Sequence, residues 1–138
     1  MLRLCFSLAI ATWLGAVVSV SFLVTPIAHS SFPAVEARRF LRPIFPRYYG
    51  LGLICGLTAL ATIALGRHGL KHDELFRLTV PVALALVATL VATGWVLPRL
   101  RALDGTDERF ASLHQLSAML NTTTLGALVL AMAAAVAR

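Results

Sequence analysis

The sequence predicts an all-α membrane protein. It reads as a four-transmembrane-helix bundle, with a short interfacial amphipathic segment between the first helix and the second. Three observations predict this. Hydrophobic residues make up 59% of the 138 residues, and the mean hydropathy is +0.84. Charged residues make up only 13%, where a soluble domain carries about a quarter. Four apolar runs, Leu4–Ile27, Tyr48–Leu65, Leu78–Leu97 and Leu116–Ala137, follow one another along the chain. Each comes close to the ~20 residues that a helix needs to cross a hydrocarbon core of ~30 Å. Their continuity excludes barrel strands, which alternate over about 10 residues. Nothing is left over for a soluble unit, so residues 1–138 read as a single transmembrane domain.

The first run is read as a retained span rather than a cleaved leader, because it exceeds the 7–15 residues of a signal-peptide core. It ends near "TPIAHSSFP", where Pro26 and Pro33 are expected to frame a turn and His29 sits at the membrane boundary. The basic half of "AVEARRFLRPIFPRYYG" suits an amphipathic segment in the interface. Pro43 and Pro46 should keep it from running unbroken into the second span. Tyr48 and Tyr49 then fall at the level of an aromatic belt.

In the second span Gly52, Gly56 and Ala59 make a G-x-x-x-G packing face, and Cys55 reads as a small buried residue. The second loop, "GRHGLKHDELFR", reads as a solvated turn. His68 and His72 are four apart, but Gly66 and Gly69 break the helix, and two histidines with Asp73 fall short of a metal site. The third span has Pro81 near its start, Thr89 and Thr93 one turn apart, Trp95 as an interfacial anchor and Pro98 at its end. Asp104-Gly105 is expected to turn the chain, with Thr106 or Asp107 capping the fourth helix.

The formal charge is +6 and the isoelectric point about 10.7. Eleven of the twelve basic residues are arginine, and all lie in loops or at helix ends. They are placed to meet lipid phosphates and set topology, not to bind nucleic acid. Five stand with the termini and second loop (Arg3, Arg67, Lys71, Arg77, Arg138), against seven in the first and third loops. The positive-inside rule leans to both termini outside. Cys5 and Cys55 fall in different spans, which gives no CxxC pair and no disulfide framework.

The fourth run opens with "RFASLHQLSAMLN", where a histidine, a hydroxyl and an amide precede an apolar segment. On a helix Ser117 and Asn121 lie about 60° and about 20° from His114, all on one side. Phe110 and Thr124 extend this stripe, which is expected to face protein rather than lipid, since an unpaired amide is costly in hydrocarbon. With four alternating spans, His29, Arg47, Tyr48, Tyr49, Trp95, Arg99 and His114 all fall at one end of the bundle. That end is the candidate ligand-binding site, formed by His114, Ser117, Asn121, Tyr48, Tyr49, Arg47 and Arg99. The competing reading is that the polar groups only tie helices together.

At "FPRYYGLGLICGL" and "HQLSAMLN" the sequence resembles the transmembrane protein 205-like family, a bacterial four-helix membrane domain of unknown function. Phe45, Pro46, Tyr48 and Tyr49 match its F-P-x-Y/F segment at the start of the second span. His114, Ser117 and Asn121 match its H-x-x-S-x-x-x-N segment at the start of the fourth. Gln115 stands where the family often has glycine. The resemblance implies a multi-pass protein of the cytoplasmic (inner) membrane of a bacterium. Its layout is similar to small copper-resistance D-type and haem-associated four-helix proteins, an analogy of fold only.

The sequence favours a small membrane binding or assembly factor with a polar pocket at one end of the bundle. The ligand would be a lipid headgroup, a haem or another small molecule, and Arg42, Arg47 and Arg99 suit an anionic group. Membrane lipids, a second copy or another membrane protein are the expected partners. The alternative is a haem- or copper-handling redox protein with His29 and His114 as metal ligands, although two histidines alone make a thin site. Met1, Met119 and Met132 show no M-x-x-M spacing. A coupled transporter is disfavoured because all six acids lie in loops. Without a nucleophile–base pair or a Gly-rich nucleotide loop, the sequence weighs against an enzyme.

Overall fold

The computed structural model describes residues 1–103 and 106–137. Four helices in it are long and apolar enough to cross a membrane. α1 covers Leu2–Ser31. The short α2, Ala34–Leu41, follows. α3, Ile44–Gly66, runs on into a 3-10 turn at Arg67–Gly69. α4 covers His72–Ala102, and α5 covers Glu108–Val136. α1 packs on α3 and α5, and α4 packs on the same two helices. The result is a closed ring of antiparallel neighbours, as short connections between consecutive helices dictate.

All four spanning helices outrun the apolar segments that announce them. α5 has 29 residues, about 43 Å at ~1.5 Å per residue, against a core of ~30 Å. Its first two turns therefore reach past the hydrocarbon. Asp107 caps it, its carboxylate accepting from the Arg109 backbone N–H at 2.9 Å. The expected Asp104-Gly105 turn lies outside the described residues, as does Arg138.

The expected ends at Pro26 and Pro98 are not ends. α1 continues to Ser31 and α4 to Ala102. In each case a π turn precedes the proline: Val20–Val24 before Pro26, and Ala92–Val96 before Pro98. Proline lacks an N–H and its ring crowds the carbonyl four residues back. A wider turn relieves that crowding and lets the helix go on. Pro46 likewise sits inside the first turn of α3, where no backbone donor is needed. The break before the second span is at Arg42 and Pro43 alone.

α2 is amphipathic and leans on the end of α1. Ala37 and Leu41 bury against Ala28, with Val24, Ile44 and Phe45 around them. The main core runs down the bundle axis, through Ile10, Trp13 and Val17 of α1, Ala59 of α3, Val82 and Ala85 of α4, and Leu128 and Ala131 of α5. Many of these are small, as expected where helices associate by close packing rather than by a hydrophobic drive. The outward faces carry Leu8, Ile54, Val87 and Leu130, all exposed and suited to lipid.

The Gly52 and Gly56 face receives a side chain. Trp13 is 1% exposed and lies across both glycines. A Cβ at Gly52 would stand 2.6 Å from the indole Nε1, and one at Gly56 would stand 2.7 Å from Cζ3 and collide with Leu86. The glycines make a slot for an indole, which locks α1 onto α3.

Candidate functional site

At the end of the bundle where α1 and α4 finish and α3 and α5 begin, three helices are joined by one chain of hydrogen bonds. The Tyr48 hydroxyl donates to Asn121 Oδ1 at 2.5 Å. Asn121 Nδ2 donates to Ser21 Oγ at 2.5 Å. Asn121 thus accepts from α3 and donates to α1 while belonging to α5. Both halves of its amide are used, which is what burial of an amide in an apolar bundle demands. Ser21 retains its own proton to donate.

An aromatic layer surrounds this chain. The Tyr48 and Tyr49 rings lie 4.9 Å apart, and Phe45 stacks on Tyr49 at 6.2 Å. Ser117 lies beside the Tyr49 phenol. One turn deeper along the stripe, Thr124 is buried and donates to the Leu120 carbonyl at 3.0 Å. Thr93 of α4 donates to the Thr89 carbonyl at 2.8 Å. Both threonines satisfy themselves locally, so the interhelical work falls to Asn121.

The structure divides the sequence-predicted residues into two sets. Tyr48, Tyr49, Ser117 and Asn121 come together. His29, Arg47, Arg99 and His114 are all exposed. His114 departs from the expectation that the whole stripe faces protein. It sits on the part of α5 that emerges from the bundle, stacked against Phe110 at 6.3 Å with the rings nearly parallel. Exposure falls along the stripe as the helix enters the bundle: His114 is open, Ser117 and Asn121 are half-buried and Thr124 is buried. Arg99 does not reach the tyrosines. Its guanidinium lies 4.2 Å from the Trp95 ring and donates to the Trp95 carbonyl at 3.1 Å.

Among the described residues no three histidine, cysteine or acidic side chains form a metal-holding group. A shallow concavity lined by His72, Asp73, Phe76 and Arg77 lies at the opposite end of the bundle. His68 sits in the 3-10 turn and His72 starts the next helix, so the two do not share a helix face.

Ser21, Phe45, Phe110 and Arg38 complete the arrangement without having been singled out as site residues by the sequence. Arg38 of α2 holds its guanidinium 5.8 Å from the Phe110 ring, joining the interfacial helix to α5. Ser21 carried the same signal as Asn121, a polar residue in an apolar run. A helical wheel could not have phased it, because the π turn at Val20–Val24 adds a residue and slips the phase by about 100°.

This arrangement holds a polar, aromatic-lined platform rigidly in place and surrounds it with cations. It offers hydrogen-bonding groups and charge for an anionic or polar ligand. It lacks the nucleophile and base that bond-breaking chemistry needs.

A family model described as Domain of unknown function (DUF4149) matches residues 8–109. The match takes in α1 to α4 and ends as α5 begins. Neither the curated proteins nor the solved structures compared with the chain gave a match.

Proposed function

The chain belongs to the DUF4149 family, a domain of unknown function, and within that family we propose that it acts as a binding or assembly factor of the membrane. The ligand is held at the polar end of the bundle. The Ser21–Asn121–Tyr48 chain carries this reading, since three helices converge on one amide beneath an aromatic layer and a cationic rim. A tie of that kind fixes the groups around it, which is what a binding platform requires. The resemblance to transmembrane protein 205-like proteins supports the same end of the bundle, because both matching motifs fall there. Under this reading the protein sits in the inner membrane of a bacterium, among lipids and with a second copy or another membrane protein as partner.

The haem- or copper-handling alternative asks for His29 and His114 as ligands. Both are exposed, and neither has a carboxylate or thiolate beside it to complete a site. The observations favour the binding reading.

The test is purification in mild detergent of the wild type and of Asn121→Leu, with an absorption spectrum, metal analysis and mass spectrometry of what co-purifies. The binding reading expects a stoichiometric small molecule on the wild type that a well-folded Asn121→Leu variant loses. Equal retention by both would remove Asn121 from any site. A Soret band or stoichiometric copper would move the assignment to redox chemistry.

A further inference from the structure

The first and third loops concentrate arginine around α2, and the partners of these side chains are neutral. Arg38 Nε donates to the Ala34 carbonyl at 3.2 Å and its guanidinium faces Phe110. Arg101 donates to the Arg42 carbonyl at 3.0 Å, tying the third loop to the first. Arg99 rests on Trp95. Carbonyls and ring faces hold these cations in place without cancelling their charge. Arg39 and Arg42 are exposed beside them.

The same surface is apolar between its charges. Val35 is 71% exposed and Phe40 is 49% exposed, on a helix whose other face is fixed to α1. Trp95, beside Arg99, is 46% exposed, as suits an indole at the boundary between headgroups and acyl chains. Apolar side chains that reach acyl chains, with guanidinium groups among them, fit a membrane surface rather than water. Arginine offers a planar fork that matches phosphate oxygens.

We propose that α2 and the arginines around it dock the phosphate headgroups of anionic phospholipids in the leaflet at this end of the bundle. This surface is separate from the Asn121 tie. It gives the protein a preference for anionic lipid and pins α2 in the interface against the entry to the polar end.

Native mass spectrometry of the whole protein, with phosphatidylglycerol and phosphatidylcholine added in equal amounts, tests this. The wild type should retain phosphatidylglycerol preferentially, and salt should weaken that preference. The triple variant R38Q/R39Q/R42Q should lose it by about 100-fold, at about fivefold for each charge near the surface. R67Q/K71Q/R77Q, at the other end, should keep it. R38K/R39K/R42K should keep most of it, since charge is preserved. Asn121→Leu should keep it too, so this proposal and the binding reading fail separately. Equal retention of the two lipids by the wild type would overturn the proposal. So would equal losses in the two glutamine triples, or loss in the lysine triple as deep as in R38Q/R39Q/R42Q. Displacement by excess inorganic phosphate would mark a site for free anions and also overturn it.

Discussion

The Tyr48 hydroxyl and the Asn121 side-chain oxygen meet at 2.5 Å although 73 positions separate them in the sequence. This bond joins the start of α3 to the start of α5, and Asn121 passes the connection on to Ser21 in α1. The helix that takes no part is α4, which packs on both α3 and α5. The polar end is therefore held by one amide, and α4 is held by apolar packing.

Removing that amide should cost little stability. Hydrogen bonds between membrane helices average ~0.6 kcal/mol, so Asn121→Leu, which deletes two, should cost about 1 kcal/mol. Tyr48→Phe should cost about half as much. In a double-mutant cycle read by reversible unfolding in detergent, the pair should show a coupling near ~0.6 kcal/mol. Strict additivity would mean that the two side chains do not meet.

The Trp13 slot should be less forgiving. Gly52→Ala puts a methyl 2.6 Å from the indole, and Trp13 has nowhere to go because Gly56 bounds it as well. Overpacking of this kind costs about 1–3 kcal/mol. Trp13→Leu in the same chain should recover part of the loss, since the clashing ring is gone. Gly15→Ala is the control. Nothing lies within 4 Å of its Cβ position, so stability should hold or rise by up to about 1 kcal/mol. An equal loss at Gly15 and Gly52 would refute the slot.

The four spans were legible in the sequence because hydropathy and length are global quantities that local detail does not disturb. The interfacial helix was legible because its basic and apolar residues alternate at helical spacing. The helix ends were not. A proline ends a helix only if the turn before it stays α-helical, and the π turns before Pro26 and Pro98 depend on packing that composition does not encode. The same turns hid Ser21, whose face cannot be counted through an added residue. Tyr48 and Asn121 were readable as site residues separately, from belt position and from the cost of a lone amide. Their bond was not, since register between helices depends on how the bundle closes. His114 was misplaced because the stripe was read as uniformly buried, while α5 begins well before its apolar run.

Trp13 and Trp95 should give opposite fluorescence behaviour in detergent. Trp13 is enclosed and Trp95 is 46% exposed. Trp95→Phe should leave a blue-shifted emission that aqueous acrylamide barely quenches. Trp13→Phe should leave one that acrylamide quenches readily. In that second background Arg99→Gln should shift the emission again, because the guanidinium 4.2 Å from the Trp95 ring is removed. Comparable quenching of the two indoles would contradict the packing described for Trp13.

The charge distribution also predicts orientation. Seven arginines lie in the first and third loops, against five basic residues with the termini and the second loop. Loops rich in arginine stay in the cytoplasm. Docking of anionic lipid at α2 would add to that bias, since the cytoplasmic leaflet carries the negative surface potential. The polar end should therefore face the cytoplasm and the 3-10 turn at Arg67–Gly69 the other side. Single cysteines placed at Gly69 and at Ser31, in a chain carrying Cys5→Ser and Cys55→Ser, separate the two arrangements. Gly69 has open space around it and Ser31 is exposed. A membrane-impermeant maleimide applied to intact spheroplasts should label the cysteine at Gly69. The cysteine at Ser31 should react only after lysis. The reverse pattern would put the arginine-rich end outside, away from the leaflet potential, and its preference for anionic lipid would then rest on headgroup contacts alone.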